Sequence, residues 1–259
     1  MEKYFKYDTH THTAETSKCG VLSARELVDL YSAQGYDGIA ITDHMSEDFI
    51  SSLECKDDWN ACVDRFLCGY KQASRHGTQI GLNILLGAEV QFEINNSEYL
   101  IYGIDEAFLR QNPFFYRLSP WEFFERFNRE LLIIHAHPCR DGNKPIFSEC
   151  VHGIELVNCQ QESNNNNEKA IKLLETNPEF HTFCASDSHR IEDVGRGWIL
   201  IDKPVSDSRA FCATIKCNDY SLGCAIDDGK EVLRQAAALL ISNFAGIWTA
   251  PNMERRNIQ

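Results

Sequence analysis

Five short apolar or extended runs in this chain each stop at a knot of ligand-type side chains, and no other feature of the sequence restricts its fold as much. The five are Tyr7-Asp8-Thr9-His10-Thr11-His12, Ile41-Thr42-Asp43-His44, Gly87-Ala88-Glu89, His135-Ala136-His137-Pro138 and Ala185-Ser186-Asp187-Ser188-His189. In α/β folds the functional groups assemble at the carboxyl ends of the strands, so five separate strand ends can converge on one pocket.

The surrounding pattern fits that reading. Gly38–Thr42, Ile84–Val90, Leu131–His135, Gly153–Val157 and Thr182–Ala185 read as buried strands of the kind found in parallel sheets. Between them, Ser23 with Glu26 three residues on forms a capping-box signature, and Leu27, Leu30 and Tyr31 give Ser23–Gln34 one apolar face. Trp59–His76, Pro120–Arg129, Glu168–Glu175 and Ser208–Lys216 are further helix candidates. Strand then helix, repeated, predicts an α/β architecture. Periodicity alone leaves open whether the sheet closes into a barrel.

No solenoid-period repeat and no Pro/Gly/Ser-rich linker divides the chain, so a single domain over residues 1–259 is expected. Residues 203–259 include a helix candidate at Lys230–Phe244 but no chemistry that can be named. They are expected to form a helical extension that packs on the body or makes a homo-oligomer contact.

Charge and composition narrow the classes. Against 25 Lys plus Arg stand 38 Asp plus Glu, a net charge of −13, while 43 % of the 259 residues are hydrophobic, ample for a core. The acidic balance opposes non-specific binding to long nucleic acid, which relies on cations neutralising phosphates. A small phosphorylated substrate held by a few local cations remains compatible. Met1–Asp8 has no apolar signal region, and the apolar stretch Ala236–Trp248 is shorter than the roughly 20 residues a spanning helix needs. A cytoplasmic protein without a membrane partner is expected. The eleven cysteines are odd in number and contain no CxxC pair, which predicts reduced thiols, with Cys55, Cys62 and Cys68 filling core.

Six of the nine histidines (His10, His12, His44, His135, His137 and His189) fall in the strand-end clusters. Alternation along a strand puts residues i and i+2 on one face, so His10 with His12, and Asp187 with His189, can chelate one ion. Imidazole with carboxylate suits Zn, Mn or Fe. Each motif also has a bland reading: Asp43 as a helix-start cap, Glu89 as a solvated strand end, His137 before Pro138 as a turn residue, Asp187 and His189 as a capping pair. Five strand ends carrying such residues together call for a shared cause, and a metal site is the expectation.

The order HxH, TDH, GxE, AHP, SDSH resembles the PHP (polymerase and histidinol phosphatase) superfamily, from about Tyr7 to Gly197. Small stand-alone bacterial members, with openings of the form DTHxHTxExSxCG and a middle YLIYGID, are especially similar. The resemblance implies a distorted (β/α)7 barrel with metals at the strand C-termini. It assigns His10, His12, His44, Glu89, His137, Asp187 and His189 as metal ligands, with Glu89 bridging two ions. Glu15 is added because many relatives place an acidic ligand shortly after HxH, although the spacing here differs. Asp8, Asp43, Glu98 and His135 are expected beside the ligands. Many members supply a further histidine soon after the GxE strand, where this chain reads Glu98-Tyr99-Leu100-Ile101-Tyr102. Either Glu98 substitutes or one position is weakened, which leaves two or three divalent ions open.

Ions held close together polarise phosphoryl oxygens and lower the pKa of bound water, so no catalytic residue is assigned beyond a metal-bound hydroxide. The expected activity is metal-dependent hydrolysis of a small phosphomonoester, of the histidinol phosphate or nucleotide kind, with Arg140 and Arg190 binding the phosphate and Lys144 as a further cation. Two other readings are an amidohydrolase-type C–N or C–O hydrolase, which usually needs a bridging Lys where this chain has Glu89, and a non-catalytic binding module that keeps the fold.

Overall fold

Strands that are apolar along their whole length need cover on both faces, and this chain supplies it largely by returning to the sheet through helices. The computed structural model describes residues 3–94, 96–143 and 148–244; Lys144 and the tail from residue 245 lie outside the described residues. The strands are β1 (Phe5–Thr11), β2 (Gly38–Ile41), β3 (His44–Met45), β4 (Asn83–Gln91), β5 (Glu98–Tyr102), β6 (Leu132–His135), β7 (Gly153–Asn158), β8 (His181–Ala185), β9 (Gly197–Ile201) and β10 (Tyr220–Cys224). The α-helices are α1 (Ala24–Ala33), α2 (Glu47–Ser51), α3 (Trp59–Ile80), α4 (Glu106–Gln111), α5 (Pro120–Phe127), α6 (Asn167–Thr176), α7 (Ser208–Lys216) and α8 (Asp227–Phe244).

The sheet runs β10-β9-β1-β2-β4-β5-β6-β7-β8, with β3 added to the end of β4. β1, β2 and β4 are parallel, as are β6, β7 and β8. The two groups are joined by β5, which is antiparallel to both β4 and β6. The tips of β1 and β8 come together: Thr11 bridges Ser188, the His12 N–H donates to the Ser188 carbonyl at 3.1 Å, and the Ser188 N–H donates to the His10 carbonyl at 3.3 Å. The result is a distorted α/β barrel, nearly closed, with β9 and β10 as an antiparallel flap on β1.

Local sequence explains the helices nearest the pocket. Ser23 accepts from the Glu26 N–H and Glu26 from the Ser23 N–H, the reciprocal box the sequence predicts at the start of α1. α3 begins on an Asp58 cap and stops at Gly81, whose φ of 84° suits glycine. Leu27, Val28 and Tyr31 of α1 and Ala73 of α3 pack on Ile39, Ile41 and Ile84, each fully buried large side chain contributing roughly 1.5–3 kcal/mol.

The C-terminal segment corrects an expectation. It is not purely helical, because Tyr220–Cys224 extends the sheet beside β9. α8 covers β7, with Val232, Leu233 and Ala236 against Ile154, Leu156 and Val157. No described helix is long and apolar enough to cross a membrane. None of the eleven cysteines forms a disulfide; Cys62 lies in the core and Cys55 packs against it, while Cys68 is half-buried.

Candidate metal centre

The end of β1 and the residue after it bring His10 and His12 side by side at the mouth of the barrel, both fully buried. Glu155, in the middle of β7, fixes the first of them: its Oε1 lies 3.0 Å from His10 Nδ1, while its Oε2 accepts from the His137 N–H and the Asn158 amide, each at 2.8 Å. A carboxylate on Nδ1 holds the imidazole tautomer that leaves the Nε2 lone pair free for a ligand. His10 Nε2 points at Glu89 Oε1 and Asp187 Oδ1, each 3.3 Å away. His12 Nε2 points at Glu89 Oε2 and Asp187 Oδ1, at 3.4 and 3.2 Å.

His10 Nε2, His12 Nε2 and Asp187 Oδ1 are buried and have no hydrogen-bond partner. A buried polar atom left unsatisfied costs roughly 1–3 kcal/mol, so three converging on one point is a costly arrangement unless something occupies it. Donors held about 2.0–2.1 Å from a tetrahedral divalent ion stand roughly 3.3–3.4 Å apart, which is the spacing found among these atoms. The donor set therefore fits a divalent metal.

Two further groups adjoin the first. His137 Nε2 lies 2.9 Å from Glu89 Oε1 and 3.5 Å from Glu98 Oε2, and His44 Nδ1 lies 3.1 Å from Glu89 Oε2 and 3.5 Å from Glu98 Oε1. Glu89 thus stands between the two sets, and Glu98, at the start of β5, reaches both His137 and His44. On the other flank, ligand atoms of His12, Cys19, His44 and His189 lie within 4.8 Å of one another. The His12 ring packs against both His44 and His189, with centroid distances of 4.6 and 4.4 Å.

The backbone is bent to make these contacts. His137 and Asp187 have φ of 29° and 49°, in the left-handed region that residues other than glycine seldom enter, and both sit just past a strand end. The Glu155 bond to the His137 N–H and the Arg140 bond to Asp187 Oδ2, at 2.5 Å, hold them there.

The electrostatics follow from packing acids and imidazoles out of water. Burial opposes ionisation of Glu89 and Asp187, yet His10 and the other cations around them hold both well below the usual carboxylate range. Burial raises Glu98, and the neighbouring Glu89 adds to it. Burial disfavours protonation of His10, but Asp187, Glu89 and Glu155 outweigh it and raise its pKa well above the usual imidazole value. His12 is held neutral by burial and by His189. Burial works against ionisation of Cys19, but hydrogen bonds with His189 and His44 outweigh it and bring the thiol down to about 7.

The structure brings His10, His12, His44, Glu89, Glu98, His137, Asp187 and His189 together. It does not bring Glu15 there: that carboxylate accepts from the Ala24 N–H at 2.8 Å, capping α1, because it lies on the turn that leads into the helix. Asp8 and Asp43 organise the surrounding loops. Asp8 accepts from the His10 and Ser186 N–H groups and from Tyr31, and Asp43 from Thr13 and Ser17, with burial raising both carboxyls to about 6. His135 stacks on Tyr99, 5.4 Å between centroids. Arg140 is occupied with Asp187, Asn158 and Asn165, and the exposed Arg190 pairs with Glu162.

Sequence reasoning missed Glu155, Asn158 and Cys19. For Glu155 a signal existed: a carboxylate in the middle of the apolar run Gly153–Val157, where an unpaired charge cannot stay buried.

The sequence model described as the PHP domain matches residues 8–198. No curated protein matches the chain. Among solved structures, it is similar to a two-domain protein containing a predicted PHP-like metal-dependent phosphoesterase from Bacteroides vulgatus, with 15 % identity and a TM-score of 0.58 over 90 % of this chain and 69 % of that one. It is also similar to PsfC from Pseudomonas syringae, with 15 % identity and a TM-score of 0.56 over 94 % of this chain and 99 % of the other. At such identity the likeness speaks to the fold.

Proposed function

Because the chain belongs to the PHP domain family, we propose that it is a metal-dependent phosphoesterase acting on a small phosphomonoester. The observation that carries this reading is the convergence of three buried, unpartnered donor atoms, His10 Nε2, His12 Nε2 and Asp187 Oδ1, on one ion-sized point beside Glu89.

In this reading His10, His12, Glu89 and Asp187 hold one divalent ion, and Glu89, Glu98 and His137 a second, with His44 and His189 available to a third. Mn, Zn or Fe ions there would supply Lewis-acid polarisation of phosphoryl oxygens and activation of water. The protein's own part is to keep the donors fixed before substrate arrives. Glu155 sets the His10 tautomer, and Arg140 orients Asp187 while offsetting the charge of the crowded carboxylates. His44 and Glu98 are the partly exposed members, at 27 and 22 %, so the phosphate enters from their side. The Arg190–Glu162 pair lies at the surface, where such pairs are worth little, and Arg190 can exchange Glu162 for a substrate phosphate.

Protein stripped of metal and reloaded with Mn, Zn or ferrous iron is to be assayed on an aryl phosphomonoester and the matched diester. Metal-dependent phosphate release from the monoester supports the proposal. Turnover of the diester alone would change the substrate class, and silence with every metal would leave a binding module.

A further inference from the structure

Cys19 is an exposed cysteine set against imidazoles that are oriented as metal ligands. Its Sγ lies 3.2 Å from His44 Nε2. The opposite nitrogen of that ring, Nδ1, is 3.1 Å from Glu89 Oε2, and the Nδ1 of His189 is 2.9 Å from the Asp187 carbonyl. Metal-bound histidines characteristically donate their second ring N–H to a carboxylate or a carbonyl, so both rings are held in the tautomer that turns the Nε2 lone pair outward. A second observation is independent of the thiol: fully buried His12, whose Nε2 faces Glu89 and Asp187 without a hydrogen-bond partner, packs its ring against both His44 and His189, and ligand atoms of all four residues lie within 4.8 Å of one another. For a zinc ion with sulfur at about 2.3 Å and nitrogen at about 2.0–2.1 Å, tetrahedral geometry separates the two donors by roughly 3.6 Å, within a few tenths of an ångström of the separation here.

We propose that Cys19 joins His44 and His189 as a thiolate ligand to a borderline-soft divalent cation, Zn2+ above all, at the solvent-facing edge of the centre. The inference rests on reading the cluster as a metal centre, but it concerns a residue that this reading does not need. Binding replaces the Sγ–H bond with an Sγ–metal bond, and the proton leaves to solvent. Thiolate selects zinc over manganese or magnesium, whereas the carboxylate-rich positions at Glu89 and Asp187 accept harder ions. The three protein donors leave a fourth position open toward solvent, the arrangement found where a zinc site also meets a substrate.

The test uses the whole protein, stripped of metal and titrated with Co2+ as a spectroscopic probe and with Zn2+. The wild type is expected to develop a sulfur-to-cobalt charge-transfer band in the near ultraviolet that Cys19→Ser lacks. Cys19→Ser is also expected to bind one zinc fewer per chain. Without any substitution, Zn2+ should slow alkylation of Cys19, read by peptide mass spectrometry, and leave exposed Cys217 unprotected. A band that persists in Cys19→Ser, or Cys19 alkylation that Zn2+ does not slow while other ions bind, overturns the inference and leaves the phosphoesterase reading standing. Failure of the wild type to bind either metal overturns both.

Discussion

His10 Nε2 and Asp187 Oδ1, far apart in the chain, face each other across 3.3 Å with both atoms buried and neither satisfied by a hydrogen bond. An ion between them would relieve that cost in the folded state only. Bound metal at a hundredfold excess over its Kd stabilises a fold by about 2.7 kcal/mol, so chelation is expected to lower Tm by roughly 5–10 °C, reversed by adding Mn2+ or Zn2+. A Tm indifferent to chelator and metal in a calorimetric scan would count against an occupied centre.

Arg140 contacts Asp187 rather than an open phosphate pocket, which moves the expected effect of its loss. Arg140→Ala should weaken metal affinity by about 10–100-fold, as loss of a partner that orients a ligand does, and Glu155→Gln should do the same through His10. Isothermal titration with Mn2+ measures both; a change in substrate KM with unaltered metal affinity would return Arg140 to phosphate binding.

Gly69 of α3 lies under the loop that carries the first histidines. A Cβ there would fall 1.9 Å from Thr13 Oγ1 and 3.0 Å from Asp43 Oδ2. Gly69→Ala is expected to cost roughly 1–3 kcal/mol by overpacking and to lower metal content by displacing the loop, although it alters no donor. Denaturant unfolding and metal analysis of the purified variant check the two effects; an unchanged metal content would detach this packing from the site.

His152 gives a pH signature away from the centre. Its Nδ1 accepts from the Ile133 N–H at 3.1 Å and its Nε2 faces the Asn128 carbonyl at 3.0 Å, so the folded protein holds it neutral. Burial, with Lys216, lowers its pKa from 6.5 to about 4. Between those values the unfolded chain takes up a proton that the folded chain refuses, so stability falls as pH drops from about 6.5 to 4. His152→Gln should flatten that part of the Tm-against-pH curve relative to wild type; parallel curves would contradict the assignment.

The five predicted buried strands are all present, and so are the capping box on α1 and the long α3, because uninterrupted apolar runs and local caps are written in short stretches of sequence. Less legible was β5. Its run Tyr99–Tyr102 is as apolar as its neighbours, and the direction of a buried strand leaves no mark in its composition, so the antiparallel insertion between β4 and β6 was not foreseen. At the site, alternation in β1 and the strand-end motifs located most of the ligand-type residues. Glu15 misled because proximity in sequence to His12 says nothing of direction, and the chain turns there to cap α1. Cys19 was passed over because a lone cysteine in a loop acquires meaning only from His44 and His189, which reach it from other strands.

The most direct measurement is anomalous diffraction from crystals soaked in Mn2+. A peak is expected among His10 Nε2, His12 Nε2, Glu89 and Asp187 Oδ1 that is absent in crystals of Asp187→Ala. Manganese bound only elsewhere, or no peak at these atoms in well-ordered wild-type crystals, would contradict the metal-centre reading.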